Sequence, residues 1–169
     1  MSIKQFNGEW VAREDRVLFR FNTFEDQEFS FWLTRFVVKS LIQGAQQLAV
    51  KTLEKEHPPQ VAQAMQEFHQ QAVAQRANFQ ETYQAPSQKP LGHDPLLVTG
   101  LVMNQNGEQT SVEFQLITGK SVNVQMNQAV MQVMVTLLNK LQDAAQWGVG
   151  FEPAPAALDT PKPSQPLMH

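Results

Sequence analysis

Four histidines, His57, His69, His93 and His169, are the side chains best suited to proton transfer or metal binding near neutral pH. None of them sits in a nucleophile or metal motif. His57 and His69 are too far apart to form the i, i+4 pair that sets two ligands on one helix face. His93 and Asp94 fall in "GHDP", where neighbouring side chains in a Pro-flanked loop face apart, so a turn is expected. "EDQE", Glu25 to Glu28, gathers three carboxylates without the ordered spacing and glycine of a calcium loop, and reads as a solvated hairpin tip. Serines are scattered without a "GxSxG" elbow, and Gly100, Gly107 and Gly119 are too dispersed to cradle a phosphate. The absence of cysteine excludes disulfides, thiolate catalysis and Cys-based zinc sites. These residues predict no enzyme, no metal and no cofactor.

One constellation has the makings of a binding surface. "RVLFRFNTFEDQEFSFWLTR", Arg16 to Arg35, alternates in two runs joined by "FEDQ". Phe19, Phe21, Phe29 and Phe31 share the face expected to be core. Arg20, Ser30 and Trp32 share the other, joined by Trp10 from a preceding strand. With Arg13, Arg16 and Arg35 nearby, this outer face combines cations and indoles. Such a face suits stacking on unpaired bases, and equally suits a protein interface, where Trp and Arg are enriched.

The elements that must position these residues follow from periodicity. Beyond the hairpin, Val37, Val38, Leu41, Ile42, Ala45, Leu48, Ala49 and Leu53 fall at helical spacing, with Thr34 as N-cap. The same grammar returns after residue 95. "PLLVTGLVMNQ" reads as a strand, Asn106-Gly107 as a type I′ turn, and "EQTSVEFQLIT" as a second strand. Gly119-Lys120 makes another tight turn into "SVNVQMN", and Asn127 caps a helix carrying Val130, Met131, Met134, Leu137, Leu138, Leu141 and Ala145. Thr34 falls on Asn127 and Val37 on Val130, with "NGE" upstream in both halves. The chain therefore predicts an α+β fold of two antiparallel β-sheet-plus-helix units in pseudo-repeat, each read as β-β-α, residues 1–55 and 95–147, with each sheet packed on its own helix. These units form a single domain over 1–147.

Between the units, "HPP" opens a Gln-rich helical segment, 58–85, with Val61, Met65, Phe68, Ala72, Val73, Arg76 and Phe79 on or near one face and a narrow apolar stripe. This inserted helix can lie across the domain or pair with a copy of itself. "APSQKPLGHDP" reads as a linker. Residues 148–169 contain five of the chain's prolines and no apolar period, and read as a flexible, disordered tail.

Two antiparallel-strand-plus-helix units in one chain, over residues 1–55 and 95–147, resemble the arrangement in Whirly- and PUR-type single-stranded nucleic-acid-binding proteins. The resemblance rests on element order and implies a base-stacking sheet face. The second unit departs from it, because its outer face carries Ser111, Glu113, Gln115, Ser121, Asn123 and Gln125. A net charge of −3 likewise gives no global pull on phosphates or anionic membranes. The first expectation is thus a non-enzymatic protein-interaction or scaffold module with an unknown protein partner; the alternative is single-stranded nucleic-acid binding. Exposed sheet edges add the expectation of a homodimer. No apolar run spans a bilayer, and a cytoplasmic protein without membrane contact is expected.

Overall fold

The computed structural model describes residues 1–77 and 79–148. Apart from Gly148, the predicted tail lies outside the described residues. Nine elements follow one another: β1 (Ile3–Val11), β2 (Arg16–Thr23), β3 (Glu28–Thr34), α1 (Arg35–Glu54), α2 (Pro59–Arg76), β4 (Leu96–Asn106), β5 (Gln109–Leu116), β6 (Ser121–Asn127) and α3 (Gln128–Ala144). The fold is α+β. Strands β1 to β6 lie side by side in sequence order in one six-stranded sheet, antiparallel except where β3 meets β4. That parallel junction consists of Phe31 opposite Leu96 and Trp32 opposite Leu97.

The pseudo-repeat is present in detail. Position 109 stands to 16 as 121 stands to 28 and 128 to 35, so β2, β3 and α1 recur as β5, β6 and α3 without a gap. Arg16 faces Thr34 as Gln109 faces Asn127. Both hairpin loops close alike: Thr23 N–H donates to the Gln27 carbonyl at 3.0 Å, and Leu116 N–H to that of Lys120 at 2.8 Å. Asp26 and Gly119 take the same left-handed place, with φ of 57° and 82°. Both N-caps are made, Thr34 Oγ1 accepting from Val37 N–H at 3.3 Å and Asn127 Oδ1 from Val130 N–H at 2.9 Å. Each unit also has a leading strand, and β1 and β4 carry matching bulges, between Ile3 and Gln5 and between Val98 and Gly100.

Three expectations about the repeat need correction. The two "NGE" triplets are not equivalent, since Gly8 lies in mid-strand opposite Phe19 while Gly107 sits in the β4–β5 turn. That turn is Gly107-Glu108, and only Gly107 has positive φ, so it is not type I′. Nor does each helix cover only its own sheet: α1 packs on β3 and β4, whereas α3 packs on β1, β5 and β6. Each helix thereby covers the leading strand of the other unit.

Alternation built this core. Val17, Phe19, Phe21, Phe29, Phe31 and Leu33 are buried from the first unit, and Val112, Phe114, Leu116, Val122, Val124 and Met126 from the second. Each buried phenylalanine contributes roughly 1.5–3 kcal/mol. Phe31 stacks on Phe114 with centroids 5.0 Å apart, joining the two halves. Helices α1 and α3 lie side by side on this face of the sheet, and α2 rests on both as a third layer.

Candidate interaction surfaces

Cross-strand partners share a face, so register locates the outer surface of the first unit. Its rows are Gln5, Asn22 and Glu28; Asn7, Arg20 and Ser30; Glu9, Leu18 and Trp32; and Val11, Arg16 and Thr34. Arg20, Arg16 and Trp32 are thus brought together as expected. The Arg16 guanidinium lies 3.7 Å over the Trp32 ring and also binds Glu14 at 2.6 Å. Arg13 is exposed in the β1–β2 turn.

Two members of the predicted face lie elsewhere. Trp10 pairs with Val17 and points inward against the core, because the bulge and register of β1 place Phe6, Gly8 and Trp10 on the buried side. Arg35, the first residue of α1, turns to the helical side, where it binds Asp15 at 3.4 Å and lies 5.5 Å over the Trp147 ring. Trp147, which sequence reasoning passed over, is 1% exposed and donates from Nε1 to Asp15 Oδ1 at 2.7 Å. It lies beyond the last periodic residue of α3, and so outside any stripe.

The near end of the outer face is covered by the segment expected to be the end of the inserted helix and a linker. Helix α2 stops at Arg76, short of the predicted 85, and residues 83 to 89 form a strap across the sheet. Gln84 accepts from Asn22 Nδ2 and Lys4 Nζ, each at 2.8 Å, and its N–H reaches Gln5 Oε1. Tyr83 O–H donates to Glu28 Oε2 at 3.0 Å, and Lys89 Nζ stands 3.2 Å from Oε1. These partners hold Glu28 as a buried carboxylate. The "EDQE" carboxylates diverge: Asp26 binds Ser87, and Glu25 faces the chain's amino terminus. Burial, then the hydrogen bond and charge of Glu28, raise the Tyr83 phenol well above its ordinary range, while Arg20 opposes them.

The second surface is α2. The apolar stripe read from sequence is split: Phe68 is 69% and Val61 44% exposed, whereas Met65, Ala72 and Val73 are half-buried and Phe79, beyond the end of the helix, packs against the core. The docked side carries Ala62 and Gln66, both buried, and Gln70, whose Nε2 donates to Thr136 Oγ1 at 2.8 Å and to the Gln132 carbonyl at 3.3 Å. The sheet has already taken the apolar stripes of α1 and α3, so α2 meets their polar backs. Gln60, Val61, Ala64, Met65, Phe68 and His69 line a shallow depression of about 600 Å³ on the outward side.

No family model, curated protein or solved structure matches this chain. Among the described residues no three metal-ligating side chains converge. No helix among them is long and apolar enough to cross a membrane.

Proposed function

We propose that the chain is a non-catalytic protein-interaction module whose recognition element is the outward face of α2. The orientation of that helix carries the reading. A half-turn about its axis would bury Val61, Met65 and Phe68 and return Gln66 and Gln70 to water. Instead Gln66 and Gln70 turn inward toward α1 and α3, and their Oε1 atoms have no hydrogen-bond partner among the described residues. A helix docked against its own amphipathic preference makes sense where the apolar face has a protein to meet.

The test is photocrosslinking in the native cell with a benzophenone amino acid in place of Phe68, and in place of Thr99 on β4 as an exposed control. Discrete protein adducts at position 68, absent at 99 and abolished by Val61→Glu, are expected. A bare chain at position 68 overturns the proposal.

Single-stranded nucleic-acid binding is a second reading, favoured by the Arg16 guanidinium stacked on Trp32 beside Arg20 on an outer sheet face. Glu14 on Arg16 and Glu28 beneath the strap weaken the field available to phosphates. Oligonucleotide titration at low salt, read by tryptophan fluorescence, tests it. Quenching that fades with salt and is lost in Trp32→Ala supports it; no quenching ends it.

A further inference from the structure

We propose that the occupant of the α2 face is a second copy of the same chain, with the two α2 helices packed antiparallel across a two-fold axis near Met65. This inference rests on the reading of α2 as a recognition element. It is motivated by shape and charge on the helix itself. Ala64 and Phe68, one turn apart, both line the depression, a single methyl group beside a ring that is 69% exposed. A knob and a hole one turn apart on one helix complement each other when a copy is laid antiparallel: Phe68 enters over Ala64 of the second copy, and the reverse contact forms at once. This mutual fit is the signature of an isologous contact.

Charge selects the same direction. From Pro59 to Gln75 the helix carries only Glu67 as a formal charge with histidine neutral, and Glu67 lines the cleft between α1 and α2 with Gln63, not the outward depression. Arg76 is exposed at the C-terminal end, and the end of α1 with the turn that follows it carries exposed Glu54 and Glu56 beside Lys55. Antiparallel packing brings each Arg76 toward the acidic turn of the other copy. Parallel packing would set Arg76 against Arg76.

The absence of cysteine allows a direct test by disulfide trapping in the full chain. Met65→Cys, close to the axis, is expected to give a covalent dimer on mild oxidation. Gln75→Cys is more exposed than position 65 but would lie roughly 27 Å from its copy along the axes at 1.5 Å per residue, and should stay monomeric. Sedimentation of the unmodified protein should show a concentration-dependent dimer. Phe68→Asp, at a solvent-facing position, should weaken it at least tenfold while leaving the circular dichroism unchanged. Arg76→Glu should weaken it about threefold, with recovery on adding Glu56→Arg.

A protein that stays monomeric with no Met65→Cys dimer, or one in which Gln75→Cys couples as readily, overturns the inference. If position 68 captures a different protein while Met65→Cys fails to dimerise, the second-copy assignment falls and the interaction module stands. If position 68 captures nothing and the chain stays monomeric, both fall.

Discussion

Gln146 and Trp147 end α3 in a Schellman turn: Gln146 N–H donates to the Asp143 carbonyl at 3.0 Å and Trp147 N–H to that of Gln142 at 3.1 Å. Gln146 holds φ at 57°, where a Cβ costs about 1–2 kcal/mol and glycine is usual. Gln146→Gly should therefore stabilise the protein by about 1 kcal/mol in urea unfolding; a loss of stability would show that the glutamine side chain supports the turn. Trp147→Ala should cost about 3–5 kcal/mol, because it empties a buried indole site and releases Asp15 and Arg35. Tyr83 gives a pH-dependent prediction. The folded state holds its phenol proton more tightly than the unfolded chain, so this contribution to stability is complete below about pH 10 and declines as pH rises above it. Tyr83 is the only tyrosine, so ultraviolet phenolate absorbance reports it alone. The folded protein should show no phenolate at about pH 10, where urea-unfolded chain is half ionised. Glu28→Gln should bring the folded titration down toward that value.

Between elements, the two helix-on-strand contacts exchange large for small. Gly8 of β1 and Met103 of β4 hold equivalent places, opposite Phe19 and Val112, as Gly44 of α1 and Leu137 of α3 do on the helices. A Cβ on Gly8 would lie 2.5 Å from Leu141 Cδ1 and 3.4 Å from Leu137 Cδ2; one on Gly44 would lie 2.7 Å from Met103 Sδ. One contact thus pairs a strand glycine with helix leucines, and the other a helix glycine with a strand methionine. Gly44→Leu should overpack against Met103 and cost about 1–3 kcal/mol, more than its gain in helix propensity. Met103→Ala in the same chain should recover at least about 1 kcal/mol in a double-mutant cycle. Strict additivity would mean that the two residues do not share this space.

Across the whole molecule, the exchanged helices tie the units together. Since α1 covers β4 and α3 covers β1, neither unit keeps its core without the other. Circular dichroism and tryptophan fluorescence should report one coincident denaturant transition, and residues 1–57 alone should unfold without cooperativity. Two separated transitions would contradict the shared core. Much of this frame was legible in the chain. Phe19, Phe21, Phe29 and Phe31 alternate, Thr34 and Asn127 sit one step before apolar helical stripes, and both patterns are local consequences of strand and helix geometry. Half of the candidate face was legible for the same reason: Arg20 and Trp32 follow from the alternation of a single hairpin, whereas Trp10 depended on how a third strand pairs. The sequence by itself determined the strands of the two hairpins, helices α1 and α3 with their caps, and the inward faces of those elements, because each is decided within a few residues. Only the tertiary structure decided which strand each helix covers, that residues 83 to 89 strap the outer face, and that α2 buries glutamine and presents Phe68. Those outcomes depend on contacts such as Gln84 with Gln5 or Gln70 with Thr136, between residues far apart in the chain, which leave no period in the sequence.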